Sequence, residues 1–135
     1  MSTSVRSDSF QVVGEQVAAT LQDAHAALES YAEGDAGPQG LQLCADHLHA
    51  ARGALQITEV YGASLLAEEM EAACRFLADG KHTEQLVGEG VEALSRAIVQ
   101  LPAYVERIMG GGRDIPLVLL PLLNDLRATR GNALL

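Results

Sequence analysis

Positive charge is scarce in this chain: nine lysines and arginines stand against eighteen aspartates and glutamates, a net charge of −9 over 135 residues. Such a chain repels phosphate backbones and anionic lipid alike, which argues against nucleic acid and membranes as partners. Long apolar runs are missing too. The longest, Ile115 to Leu123, spans nine residues with prolines at 116 and 121, far below the roughly 20 that a membrane helix requires. No basic region followed by an apolar stretch opens the sequence, where Met1 to Ser9 reads as a Ser-rich disordered arm, so the expected location is the cytoplasm. Cysteine is scarce. Cys44 and Cys74 lack metal-ligand spacing and fall on apolar helical faces, the pattern of buried reduced thiols. No Gly-rich phosphate loop of either nucleotide-binding spacing occurs, which removes ATP hydrolysis and kinase activity from the functions expected here.

With 48% hydrophobic residues in 135, the chain can bury one core and is too short for two ordinary domains. Apolar residues recur at helical spacing, without the strict alternation of strands, so the fold class is all-α. Phe10, Val13, Val17, Leu21, Ala24, Leu28 and Tyr31 form the stripe of a first helix, which the Gly34 to Pro38 cluster ends. A second helix is predicted from about Gln39 to Val60, and a third from about Ala63 to Ala78, stopped at Asp79-Gly80, with Gly62 allowing a close antiparallel turn between the two. Thr83 can cap a fourth helix. Its seam of Val87, Val91, Leu94, Ile98, Leu101, Val105 and Ile108 steps by four and three, as bundle helices do, and Pro102 is expected to bend it locally. Glycines 110 to 112 then break the chain before a short apolar segment. The expected organisation is an arm over 1–9, an antiparallel four-helix bundle over 10–112, and a C-terminal helix over 113–135 that packs on the bundle or on a partner.

Glu68, Glu69 and Glu71 suggest a carboxylate cluster, but a bundle metal site wants Glu-x-x-His pairs that are absent, so they read as a solvated acidic face. No metal, cofactor or enzymatic site is expected. On the second helix, at about 100° per residue, Leu41, Leu43, Cys44, Leu48, Ala51, Ala54, Leu55 and Ile57 share one broad arc. His49 points away from it among Gln42, Gly53 and Gln56, and should face water, whereas His47 falls inside the arc as a structural histidine. A phosphate-accepting histidine needs exposure on a rigid helix, a cation one turn away and a small residue that lets a partner approach. His49, Arg52 and Gly53 meet those needs.

The stretch His49-Ala50-Ala51-Arg52-Gly53 resembles the His-x-x-Lys-Gly signature of histidine-phosphotransfer (HPt) domains, borne on the second helix of a four-helix bundle. A longer resemblance covers HAARGALQITEVYGASLLAEEME from His49 to Glu71 and PLVLLPLLNDLRATRG from Pro116 to Gly131. Both look like the N-terminal region of the chemosensory hybrid histidine kinases that control type IV pili, the ChpA/PilL type, and like the related pilus scaffold FimL. That resemblance implies a chemotaxis-like, two-component signalling domain feeding twitching motility or cyclic-AMP signalling, cut from a longer polypeptide. In HPt domains a Gly-Ala pair opens the next helix ten residues after the histidine. Here Gly62-Ala63 lies thirteen after His49 and ten after Arg52, so one register makes His49 the acceptor and the other puts Arg52 at that place. The leading expectation is a pseudo-HPt docking domain that meets a response-regulator receiver through His49, Arg52, Gly53 and Gln56. Its alternatives are phosphotransfer on His49 within a phosphorelay, and a structural bundle that forms homodimers through 115–123.

Overall fold

Each helix begins and ends where local chemistry dictates. The computed structural model describes residues 2–132, with side chains from Phe10 onward; the arm expected over 1–9 thus falls outside the described side chains. The elements are α1 (Ser2–Ala32), α2 (Pro38–Ile57), α3 (Tyr61–Ala78), α4 (Glu84–Met109), a 3-10 turn (Pro116–Leu119) and α5 (Leu120–Thr129). No strand occurs among the described residues. Pro38 opens α2 with its backbone already set for a helix and no N–H to orphan. Thr83 caps α4, its Oγ1 accepting from the Leu86 N–H at 3.1 Å, and Glu84 follows in the first turn, where the helix dipole favours an acid. After α3, Gly80 takes the left-handed conformation expected of the stop (φ 76°).

α1 packs on α2, α2 on α3, α3 on α4 and α4 back on α1, a closed ring of four antiparallel helices, while α5 lies in the groove between α3 and α4. Leucine supplies most of the largest buried side chains: Leu21, Leu28, Leu48, Leu66, Leu94 and Leu101 are fully buried, each contributing about 1.5–3 kcal/mol against its exposed state. Cys44 and Cys74 face each other inside it as free thiols. The neighbouring Cys44 sulfur and burial hold the Cys74 thiol well above its usual range, which suits inert packing. α4 runs through Pro102 as one helix, since the buried residues on both sides, Ile98, Leu101 and Val105, hold it in register.

Three details differ from the sequence reading. The apolar arc of α2 is narrower than the wheel implied: Leu43 is exposed and Ile57 is 84% exposed, because α2 touches only α1 and α3 and its outer third has nothing to cover it. The turn between α2 and α3 does not use Gly62. Glu59 takes the left-handed place (φ 65°), Val60 N–H bonds back to Leu55 O at 2.9 Å and Glu59 N–H to Gln56 O at 3.1 Å, a helix stop that normally recruits glycine. Gly62 instead makes room for another segment. Its N–H donates to Asp114 Oδ2 at 3.2 Å, and a Cβ there would sit 2.5 Å from Asp114 Oδ1.

The glutamates of α3 are the third difference. Glu68 is exposed, but Glu69 is buried and receives Arg127 Nη1 at 3.0 Å and Arg130 Nη2 at 2.7 Å from α5. Far from forming a solvated face, it fastens α5 to the bundle. Leu119, Leu123 and Leu126 fill the groove beneath, so α5 rests on the bundle, while Leu117 and Val118 before it stay exposed.

Candidate functional site

Because α2 and α3 run antiparallel about the turn at Thr58 to Val60, residues on one strand of the seam meet those reflected across it. His49 therefore meets Glu71. The imidazole is exposed (58% of its side chain) and its Nδ1 lies 3.1 and 3.2 Å from the two Glu71 oxygens, while Glu71 itself is largely covered. A carboxylate only accepts, so the ring donates from Nδ1–H. In the neutral ring that fixes the tautomer with Nε2 unprotonated, and no protein group among the described residues bonds to that nitrogen.

Arg52 approaches the same pair, with Nη2 3.3 Å from His49 Nδ1 and Nη1 3.9 Å from Glu71 Oε1. With the Nδ1 proton given to Glu71, the arginine acts as a neighbouring charge and not as a donor to the ring. Arg75 closes the group from one turn further along α3. It donates to Glu71 at 3.1 Å, to Asp46 at 3.1 Å and to Gln42 at 3.2 Å, and the bonds to Glu71 and Asp46 push its already high pKa upward. One carboxylate is thus held by cations on both sides, and it holds the histidine in turn.

Of the four residues predicted from the sequence, His49, Arg52 and Gly53 are brought onto one face beside Glu71, and Gln56 is exposed one turn further along. A Cβ added to Gly53 would meet nothing within 4 Å, so close helix packing does not explain this glycine. His47 lies off this face, half-buried and without the ring partner expected of it among the described residues. His25 pairs with Glu29 within α1, and His82 stacks on Phe76; neither joins the site. Glu71 and Arg75 were missed by sequence reasoning. The signal was available: reflecting residue numbers about residue 60 in the turn pairs 49 with 71 and 46 with 74, next to Arg75.

Beyond the polar group, Ile57, Tyr61 and Leu65 leave apolar surface exposed where α2 turns into α3. No group of three or more histidine, cysteine or carboxylate side chains suited to a metal ion occurs among the described residues, and no described helix is long and apolar enough to cross a membrane.

No family model matches the chain, and no solved structure matches it. It is similar to a curated protein of Pseudomonas aeruginosa named Scaffold protein FimL, 30% identical over 123 residues. The match takes in 91% of this chain and 22% of FimL, so the chain corresponds to a fraction of that protein's length.

Proposed function

We propose that this chain is a signalling docking module: an HPt-like bundle over 10–112, closed by the packing segment 113–135, that meets a response-regulator receiver through the face bearing His49, Arg52, Gly53 and Gln56. The observation that carries this reading is the histidine presented outward on a rigid two-helix face, its ring held by Glu71, beside a glycine that leaves the approach open. The exposed Ile57, Tyr61 and Leu65 supply apolar contact area next to the α2–α3 turn. The name of the relative, a scaffold protein, agrees with a role exercised through protein partners rather than through chemistry on a small substrate. The proposed setting is the control of type IV pili from the cytoplasm.

Phosphotransfer on His49 is the second reading, and the Glu71 contact favours it. With Nδ1–H bonded inward, the Nε2 lone pair is free to attack the phosphorus of a receiver's aspartyl phosphate; the P–O bond to the carboxylate breaks, and Arg52 stands near to offset the transferred charge. The competing register, with Arg52 at the acceptor place, rested on Gly62. That glycine has a local reason of its own in its contact with Asp114, which lessens the weight of that register.

The docking reading is tested by titrating isotope-labelled domain with its cognate receiver. Shifts should centre on residues 49 to 57 and 61 to 71, and Arg52→Glu should weaken binding by placing a like charge against an acidic receiver face. Shifts confined to other helices would overturn it. Acid-labile label that appears on the wild type and vanishes in His49→Gln would make the domain a phosphocarrier; docking without label would leave it a pseudo-HPt domain.

A further inference from the structure

The 3-10 turn before α5 leaves a second apolar surface in water. Leu117 is 75% exposed, and Ile115 and Val118 beside it are exposed as well. Next to them runs a groove of about 370 Å3 between the C-terminal half of α4 and the start of α5, lined by Ala103, Tyr104, Arg107, Val118, Pro121 and Leu122. A concave surface of mixed lining beside exposed large apolar side chains is what amphipathic partner helices bury.

The charge around this groove runs against the rest of the molecule. Arg107 lies over the Tyr104 ring at 5.5 Å, and neither it nor Arg113 forms an ion pair with a described carboxylate. The three acids from residue 106 onward are all turned away or engaged. Glu106 lines a concavity on the α1 side, Asp114 is taken by Tyr104 Oη–H and the Gly62 N–H, and Asp125 pairs with Arg96 at 3.4 Å. A chain of net charge −9 thus presents two arginines without an ion pair near exposed apolar side chains and a groove of mixed lining.

We propose that this face docks an acidic amphipathic helix of a partner protein, whose apolar side chains seat in the groove and on Ile115, Leu117 and Val118 while its carboxylates meet Arg107 and Arg113. A second copy of this chain fits less well, because a two-fold contact centred on the face turns each Arg107 and Arg113 toward the same residues of the copy. An anionic membrane fits less well because the groove is concave and a bilayer surface cannot enter it as a helix can. The surface belongs to α4, α5 and the turn between them, and α2 packs on neither helix. It carries none of His49, Arg52, Gly53 and Gln56, although the turn before α5 packs on α3 and Asp114 bonds to the Gly62 N–H.

The test uses the full 135-residue chain, isotope-labelled, and two synthetic peptides of about 18 residues, five turns of helix. Both carry a leucine stripe, flanked by glutamates in one and by lysines in the other. The glutamate peptide should shift resonances of residues 100 to 107 and 115 to 122, and the lysine peptide should bind about tenfold more weakly or worse. Arg107→Glu with Arg113→Glu should reverse that preference. Leu117→Asp should abolish binding without lowering Tm, since the side chain it replaces is exposed. Equal affinity for both peptides, no shifts with either, or shifts confined to the His49 face would overturn the proposal. So would self-association in sedimentation equilibrium that Leu117→Asp removes, which would make a second copy the occupant, or flotation with phosphatidylcholine–phosphatidylserine vesicles, which would make it a membrane.

Discussion

Gly53 within α2 and Glu59 in the turn that follows it make opposite use of the backbone. Gly53 has a helical neighbourhood with open space where a side chain would go, so it gives up helix propensity without a packing return. Gly53→Ala should stabilise the domain by about 0.5–1 kcal/mol in chemical denaturation, whereas Gly53→Phe should leave the fold intact and weaken the proposed receiver docking. Glu59 carries a side chain in the left-handed conformation, and Glu59→Gly should stabilise by about 1 kcal/mol, less whatever freedom glycine adds to the unfolded chain. Tyr104 offers a third measurement at this scale. Burial, then its hydrogen bond to Asp114, raises its pKa from about 10 to about 12. The native state therefore holds the phenol proton more tightly than the unfolded chain does. That contribution to stability is complete below about pH 10 and is lost as pH rises through about 12. Ultraviolet titration should show late ionisation of one tyrosine, and Asp114→Ala should bring it earlier without restoring the ordinary value, because burial remains.

At the scale of elements, helices could be read from the sequence because periodicity and punctuation agree: Thr83 as cap, Gly80 as stop and the Gly34 to Pro38 break all act as their chemistry suggests. What the sequence hid was pairing across elements. Glu69 and Arg130 are 61 residues apart, and nothing local marks that glutamate as different from exposed Glu68; only the seating of α5 separates them. The same holds for Glu71, whose value depends on the register of α2 against α3, and for Gly62, whose partner lies 52 residues on. His49 was legible because exposure on one helix is a local property. The α5 anchor is open to measurement. Glu69→Ala leaves two arginines against the groove without their carboxylate, and because those side chains keep about a quarter of their surface in water the loss should be about 2–3 kcal/mol, below the roughly 3–5 of a fully buried pair. Glu69→Gln, which keeps volume and one acceptor, should cost less. Deleting residues from 113 onward should lower Tm further, since it also uncovers the groove under Leu119, Leu123 and Leu126. Equal stability of the deletion and the parent would mean that α5 is not held where it is described.

Across the whole molecule, the scarce basic residues are spent on particular seams. Arg52 and Arg75 tie α2 to α3, Arg127 and Arg130 tie α5 to α3, and Arg96 ties α5 to α4. The seam between α1 and α4 has no such tie among the described residues. It collects like charge instead: Glu15 of α1 and Glu106 of α4 line one concavity, and Glu84 and Glu92 line another beside the end of α1. Repulsion there is screened by salt, whereas the Glu69 anchor is covered and responds little. Raising sodium chloride should therefore raise Tm, and amide exchange should slow more in α1 and α4 than in α2 and α3. Glu15→Lys makes the inference specific, because it sets a cation opposite Glu106 at an exposed position. It should raise Tm at low salt and lose that advantage at high salt. A salt response spread evenly over all helices, or a Glu15→Lys gain that persists at high salt, would place the weak seam elsewhere.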